Sequence, residues 1–230
     1  MDITKVIILA GGRGTRLPHS ARGIHKVLVE IRGKTILDRQ LDLLARHGLT
    51  DVRLALGFRA DQIVAHLKNT SRANVEYVVE NEPLGTGGGL RLAAEGLSGP
   101  FLVLNGDTIA DFDFTSIIRS HQPDTALIVS YPVEDARDFG LLRLDGEWVR
   151  EFLEKSPEPK SGHINAGCYI LHTDHFVGVP PGHFMLEQEV LPRLARQGLM
   201  RTFIHCGFWE DAGTEERLLR LRNSPDLKLA

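Results

Sequence analysis

Apolar residues along this chain fall into short unbroken runs, separated by stretches in which apolar positions recur at helical spacing. The first run, residues 6–9, contains no polar residue, which is typical of a strand buried on both faces of a parallel sheet. Similar runs predict strands at residues 51–57, 75–80 and 101–105. Helical spacing predicts helices at residues 35–47, 59–67 and 88–94. This alternation predicts a doubly wound α/β sheet, with ligands bound at the carboxyl ends of the strands.

The second half of the chain is richer in strands. Extended patterns predict strands at residues 125–133, 140–155, 163–171 and 201–208, with a hairpin turn at Asp145 and Gly146. Helices are predicted at residues 184–197 and 214–221. No linker separates this half from the first, so we expect one domain.

Composition and charge exclude several classes of function. A chain of 230 residues with net charge −3 fits one domain and offers no basic stripe for nucleic acid. No signal peptide is evident and no apolar run approaches the ~20 residues that span a bilayer, so we expect no membrane association. Cys168 and Cys206 lie in apolar runs, which predicts buried free thiols and a cytoplasmic location.

A glycine-rich segment follows the first strand, with the sequence GGRGTRL at residues 11–17. Its glycines allow a bulky anion to approach the backbone N–H groups, and Arg13 and Arg16 add positive charge. The segment is not a Walker A loop, because no Gly-Lys-Ser/Thr follows. On its own it predicts either a phosphate site or a tight turn that binds nothing.

Further motifs follow in a fixed order: Lys26, EPLGTGGGL (82–90), LVLNGDT (102–108), FLEKS (152–156), INAGCYIL (164–171) and FWEDAGT (208–214). With these motifs the chain resembles the sugar-1-phosphate nucleotidylyltransferases. It looks most similar to the short branch of D-glycero-α-D-manno-heptose 1-phosphate and mannose-1-phosphate guanylyltransferases. One departure is that His25 and Val27 flank Lys26, where the family usually has prolines.

The resemblance implies a Rossmann-like, mixed but mostly parallel sheet of the nucleotide-diphospho-sugar transferase fold. It implies one domain over residues 1–223, with a nucleotide-binding half (about 1–110), a sugar-binding half (about 111–223) and a tail at 224–230. The implied reaction joins a nucleoside triphosphate, GTP favoured, to a sugar 1-phosphate, the heptose favoured, and releases pyrophosphate. Mannose 1-phosphate with GTP, or uridylyl transfer to N-acetylmuramate or glucose 1-phosphate, are alternatives.

The same resemblance assigns residues to roles. The catalytic residues would be Arg16, Lys26 and Asp107. The nucleotide would be bound by Leu9, Ala10, Gly11, Gly12, Arg13, Gly14, Thr15, Arg16, Glu82, Gly85 and Asn105. The sugar phosphate would be bound by Gly140, Glu154, Lys155, Asn165 and Gly167.

Asp107 and Asp211 match the family's metal positions, and a carboxylate pair suits Mg²⁺, which prefers oxygen ligands. An Asx turn at Asp107 and a helix cap at Asp211 are the structural alternatives. The expected partners are therefore a nucleoside triphosphate, a sugar 1-phosphate and Mg²⁺, with homo-oligomerisation left open.

A function of a different class is a nucleotide-sugar sensor or regulatory subunit without catalysis. Loss of the prolines around Lys26 favours it. Retention of cations and carboxylates at every catalytic position favours an enzyme, because a silent relative does not need them; these residues are Arg16, Lys26, Asp107, Lys155 and Asp211.

Overall fold

The computed structural model describes residues 3–12, 23–70, 75–153, 158 and 160–224. The strands are β1 (Lys5–Ala10), β2 (Glu30–Ile31), β3 (Lys34–Thr35), β4 (Asp51–Leu56), β5 (Glu76–Val79), β6 (Pro100–Asn105), β7 (Thr108–Ala110), β8 (Ala126–Val133), β9 (Leu141–Asp145), β10 (Trp148–Leu153), β11 (Gly162–His172), β12 (Met200–Ile204) and β13 (Trp209–Asp211). The α-helices are α1 (Ile36–Arg46), α2 (Ala60–Asn69), α3 (Gly85–Ala93), α4 (Phe114–Ser120), α5 (Leu191–Arg196) and α6 (Glu215–Asn223). Single turns of 3-10 helix lie at Lys26–Leu28 and Thr173–Phe176, and a π-helical turn at Leu186–Val190.

One nine-stranded sheet runs through both halves of the chain, in the order β5-β4-β1-β6-β11-β8-β12-β10-β9. The strands β5, β4, β1 and β6 are parallel to one another, and β8 is parallel to β12. Strand β11 is antiparallel to both β6 and β8 and joins the two groups. The α/β prediction is confirmed, and the sheet is mixed as the resemblance implied.

Helices cover both faces of this sheet. On β1, Val6 and Ile8 pack in a core cluster that includes residues of α1, α2 and α4. Ile7, between them, packs in the opposite cluster with residues of α3 and α5. All three residues are 0% exposed. The unbroken apolar run therefore reflects burial on both faces, because successive strand residues point to opposite sides.

Several elements differ from the sequence prediction. Helix α3 begins at Gly85, three residues before the predicted start, because its glycines pack against the chain at residues 182–186. A methyl group at Gly88 would lie 2.5 Å from the Gly182 carbonyl oxygen. The predicted helix at residues 184–197 is a π-helical turn followed by α5, and α4 and the short strands were not predicted.

The predicted burial of both cysteines is wrong for one of them. Cys168 on β11 is buried, but Cys206 is exposed, because β12 ends at Ile204 and the chain turns away from the sheet. No helix of the described part of the chain has the length and apolar character needed to cross a membrane.

A small two-stranded sheet lies beside the main one. Strand β7, which follows β6, pairs antiparallel with β13, so that Thr108 faces Asp211 in the register. The β13 segment comes from near the end of the chain, and this pairing brings it to the carboxyl end of β6. The two predicted metal-ligand segments are thereby made neighbours.

Candidate functional site

A cavity of about 390 Å³ opens at the carboxyl ends of the parallel strands. It is bounded by the end of β1, the turn after β6 and the beginning of α3. Among its lining residues are eight that the sequence predicted: Leu9, Ala10, Gly11, Gly12, Lys26, Gly85, Asn105 and Asp107. All the described residues predicted to bind the nucleotide, except Glu82, therefore lie on one concave surface.

Several predicted residues lie outside the described residues. They are Arg13, Gly14, Thr15 and Arg16 of the glycine-rich segment, and Glu154 and Lys155 after β10. Their roles stay predictions.

Lys26 and Asp107 meet in this cavity, where the lysine Nζ forms an ion pair with the Asp107 carboxylate. The two side chains are 13% and 36% exposed. Asp107 follows Gly106, whose N–H donates to the Leu9 carbonyl at 3.0 Å. A methyl group at Gly106 would lie 2.5 Å from that oxygen, so glycine permits the close approach of the two backbones.

Gln40 holds the turn that carries Asp107 and was not identified from the sequence. Its Nε2 donates to the carbonyl oxygens of Asn105 and Thr108, each at 2.8 Å, on either side of Gly106 and Asp107. Gln40 is polar, yet it lies on the buried face of α1 and is only 7% exposed. A polar residue on the apolar face of a helix was the available signal.

Asp211 lies next to this turn, because the Ala212 N–H donates to the Asp107 carbonyl at 2.9 Å. Its carboxylate accepts hydrogen bonds from Arg217 at 2.7 Å and from the Gly213 N–H at 2.6 Å. Arg217 also contacts Asp138 at 2.8 Å. Within the described residues no group of three or more His, Cys, Asp or Glu side chains could hold a metal ion.

The donor chemistry at this edge still fits a divalent cation that prefers oxygen. Mg²⁺ is commonly held by one or two protein carboxylates, with substrate phosphates and water completing its coordination. Asp107 lines the cavity and Asp211 follows in the adjacent segment. These two residues are the ones that could hold such an ion.

Glu80 lines the cavity and, like Gln40, was not identified from the sequence. Its Oε2 accepts from the Leu84 N–H at 3.1 Å, and its Oε1 lies 3.2 Å from the position of a methyl group at Gly11. Burial raises the pKa of the Glu80 carboxyl, and the Leu84 N–H and His183 oppose that rise. Its place directly after β5, at a strand's carboxyl end, was the available signal.

The predicted contact from Glu82 is not supported by its position. Glu82 is exposed and is not part of the cavity wall, whereas Glu80, two residues earlier, is. The physical reason is the register: the Glu80 N–H still bonds the Leu56 carbonyl at 2.9 Å, which keeps Glu80 at the sheet edge after β5 ends.

The described sugar-site predictions, Gly140, Asn165 and Gly167, lie outside the cavity wall. Asn165 has both ends of its amide engaged: Nδ2 donates to the Tyr169 hydroxyl at 2.7 Å, and Oδ1 accepts from the Gly167 N–H at 2.9 Å. Gly167 has φ +74°, and a methyl group there would lie 2.8 Å from Thr108 Oγ1. Asn165 therefore holds the β11 backbone at Gly167, where it packs closely against the turn that contains Asp107.

His25 precedes Lys26 and also lines the cavity. The residue is 2% exposed, and its Nδ1 accepts from the Val27 N–H at 3.3 Å. Burial, assisted by the charges of Arg59 and Lys26, lowers the pKa of His25 to about 4. The ring is therefore neutral at neutral pH. Its Nε2 is buried without a hydrogen-bond partner among the described residues.

Known proteins are similar to this chain over nearly its whole length. The sequence model of the family "Nucleotidyl transferase" matches residues 5–225. A mannose-1-phosphate guanyltransferase of Emericella nidulans is 35% identical over 231 residues, covering 94% of this chain and 62% of the relative. The mannose-1-phosphate guanylyltransferase catalytic subunit beta of Drosophila melanogaster is 36% identical over 225 residues, with 94% and 61% covered. The chain thus spans less than two thirds of these curated relatives.

Solved structures match over almost their full length. HddC from Yersinia pseudotuberculosis, complexed with GMP-PN, superposes with a TM-score of 0.84 at 32% identity, covering 96% of this chain and 98% of that one. A putative glucose-1-phosphate thymidylyltransferase from Bacillus anthracis superposes with a TM-score of 0.85 over 98% and 97% of the two chains. Its identity is 24%, and it supports the fold alone. On the family match and the HddC superposition, and in agreement with the motifs, this chain belongs to the nucleotidyl transferase family.

Proposed function

We propose that the chain transfers a nucleotidyl group from a nucleoside triphosphate, with GTP favoured, to a sugar 1-phosphate and releases pyrophosphate. The observation that carries this proposal is the cavity at the strand ends, which combines a glycine-lined wall with Lys26, Asp107 and a second carboxylate, Glu80. The glycines leave backbone N–H groups accessible to phosphates. Lys26 supplies positive charge for two polyanionic reactants, and Asp107 supplies a carboxylate that could hold Mg²⁺.

The reaction brings like charges together. Two unit charges ~4 Å apart repel by about 4 kcal/mol at an effective dielectric constant near 20, and several charges are involved. The attacking phosphate has a second pKa of about 6 and is already mostly ionised at neutral pH, so no general base is needed. We assign Lys26 to offset the negative charge that develops at the α-phosphate, and Arg16 to the other phosphates.

A magnesium ion would be held by Asp107 and Asp211. When bound, it would neutralise phosphate charge and orient the triphosphate. Lys26 and Arg217 now contact these carboxylates. Each cation thereby holds its carboxylate in place, next to where the phosphates would bind.

Guanine is the base that the cavity favours. The Glu80 carboxylate is held by the Leu84 N–H at 3.1 Å and faces the glycine wall at Gly11. An ionised carboxylate only accepts hydrogen bonds. Guanine presents two adjacent donors on one edge, N1–H and the N2 amino group, whereas uracil presents a single ring N–H. The HddC structure, which carries GMP-PN, supports a guanine nucleotide.

For the sugar we propose a 1-phosphate of manno configuration, with D-glycero-α-D-manno-heptose 1-phosphate favoured. α-D-Mannose 1-phosphate is the second candidate, because the curated relatives at 35–36% identity are named for mannose 1-phosphate. We assign the sugar and its phosphate to the half at about residues 111–223, with Lys155 on the phosphate and Glu154 on sugar hydroxyls. The nucleotide is assigned to the half at about residues 1–110.

The test is a pyrophosphate-release assay with Mg²⁺, each of the four ribonucleoside triphosphates, and a panel of sugar 1-phosphates. We expect release with GTP and a manno-configured sugar phosphate. Release with UTP and N-acetylmuramate or glucose 1-phosphate would select the uridylyltransferase alternative. No release with any pair, combined with tight binding of a nucleotide sugar, would select the sensor and refute the enzyme.

A pair of variants tests the base contact. Glu80→Gln should lower kcat/KM for GTP about 10- to 100-fold, since a hydrogen bond to a charged group is worth about 1.5–3 kcal/mol. Glu82→Gln is the matched comparison, because Glu82 is exposed outside the cavity. A larger loss for Glu82→Gln than for Glu80→Gln would return the role to the residue that the sequence favoured.

A further inference from the structure

His25 immediately precedes Lys26, and its imidazole ring carries no charge at neutral pH. We propose that His25 is a positioning residue for Lys26, and that its imidazole Nδ1 closes the short turn which presents the lysine to the phosphates. The part played by the lysine rests on the proposed function. The closed turn itself is independent of it.

The turn that carries Lys26 is only three residues long, from Lys26 to Leu28. Its backbone bonds run from the Leu28 N–H to the His25 carbonyl at 2.9 Å and from the Val29 N–H to the Lys26 carbonyl at 3.1 Å. A single helical turn is intrinsically unfavourable, because few bonds fix many dihedral angles. The bond from the Val27 N–H to His25 Nδ1 adds a third constraint inside the turn.

Val27 makes this third bond necessary. Val27 is 2% exposed, so its N–H has little access to water. A buried N–H without a partner costs about as much as a lost hydrogen bond. Proline, usual at this position in the family, has no N–H to satisfy. With valine here, the chain needs an acceptor, and the His25 ring provides it.

Helix α2 fixes the backbone from which the ring projects. Gln62 Oε1 accepts from the His25 N–H at 2.7 Å, and Gln62 Nε2 donates to the Gly23 carbonyl at 2.8 Å. The Gln62 side chain therefore holds the segment that enters the turn at two points, Gly23 and His25. Because this backbone is fixed, the position of the His25 ring is fixed as well. The backbone of Lys26, the next residue, is held by the same contacts.

The ring tautomer follows from the same bond. Nδ1 accepts, so in the neutral ring the proton is on Nε2. That Nε2 has no partner among the described residues, although His25 lines the cavity. The ring thus has two separable atoms: Nδ1, which closes the turn, and Nε2–H, which would serve a ligand directly. Only the first of these is our proposal.

Two substitutions separate the atoms. Asparagine places its Oδ1 where Nδ1 lies and can accept the Val27 N–H, whereas the longer glutamine carries its amide near the Nε2 position. A matched control is Asp113→Ala. Asp113 caps α4 by accepting from the Ser116 N–H at 3.1 Å, is exposed, and lies outside the cavity.

The readout is the kcat of pyrophosphate release, at a temperature where every variant is folded. His25→Gln should lower kcat about tenfold, as expected for a lost cap, and change KM for the triphosphate less than about twofold. His25→Asn should stay within about threefold of the unsubstituted protein. Asp113→Ala should lower the unfolding temperature without changing kcat. If Asn is as impaired as Gln, if Gln retains kcat, or if the ranking is reversed, the proposal is overturned.

Hydrogen exchange measured by NMR tests the turn without any assay of activity. We expect the Val27 amide to be protected in the unsubstituted protein and in His25→Asn, and to exchange faster in His25→Gln. Equal protection in all three would refute the proposal. If the unsubstituted protein releases no pyrophosphate, the proposed function fails, and the exchange result alone then decides the role of His25.

Discussion

Gly57 offers a steric test of the contact proposed for Glu80. A methyl group at this position would overlap Glu80 Oε1 and lie 2.9 Å from both Glu80 Cδ and the Gly11 carbonyl oxygen. Ordinary contacts of a methyl carbon begin near 3.4 Å. Gly57 is not in the left-handed region, so the effect of Gly57→Ala is steric rather than conformational.

The Gly11 backbone cannot move aside without disturbing the strand end, so the Glu80 side chain must move. Its bond from the Leu84 N–H would be lost, at about 1.5–3 kcal/mol for a charged acceptor, and overpacking adds about 1–3 kcal/mol. We expect Gly57→Ala to lower the free energy of unfolding by about 2 kcal/mol or more. The displaced Glu80 would also lose its proposed contact with the base, worth about 1.5–3 kcal/mol, so kcat/KM for GTP should fall at least about tenfold, since 1.4 kcal/mol is tenfold.

Gly89→Ala is the matched control, because it also places a methyl group beside Glu80. That methyl would lie 3.4 Å from Glu80 Oε2, within an α-helix where alanine is favoured over glycine by about 0.5–1 kcal/mol. Urea denaturation should show that Gly89→Ala is as stable as the unsubstituted protein; kcat/KM is not compared for this variant, because Gly89 also lines the cavity. The reasoning is refuted if Gly57→Ala retains both stability and kcat/KM for GTP.

Two further predictions concern the carboxylates. Asp107→Asn should reduce turnover at least ~100-fold, the usual loss when a group that stabilises transition-state charge is removed, with an unchanged circular dichroism spectrum; unreduced turnover would contradict its role. Arg217→Met should lower the unfolding free energy by about 3 kcal/mol, because it leaves the mostly buried Asp211 carboxylate without its cation. Arg150→Met, which removes the cation of the Asp145 carboxylate, 69% exposed, should change it by less than about 0.5 kcal/mol, and equal effects of the two would show that the burial argument fails.

The fold was predictable where periodicity was strong. Residues 6–9 and 101–105 read as buried strands because both faces of the sheet are covered, and both are strands in the structure. Helix α3 began earlier than predicted, because three successive glycines favour a turn locally while close packing against residues 182–186 favours a helix. The local sequence pattern does not show packing against a segment about a hundred residues away, so the start of α3 could not be predicted from it.

The candidate site was predictable in part for a related reason. Motif order identified Lys26, Gly85 and Asp107, since each stands in a recognisable local sequence. Gln40 and Glu80 were missed, because their importance comes from contacts with segments distant in the chain: Gln40 with the turn after β6, and Glu80 with the end of β1. A one-dimensional pattern does not show which polar residue will face which backbone.

The pairing of β7 with β13 has a consequence for the order of assembly. Asp107 and Asp211 are separated by more than a hundred positions, and their segments meet only when the Ala212 N–H bonds the Asp107 carbonyl. During synthesis on the ribosome, the first half of the chain emerges long before residue 211 is made. A nascent chain could therefore pair its parallel strands early, whereas Asp211, the second carboxylate proposed to hold magnesium, would join Asp107 only when β13 pairs with β7.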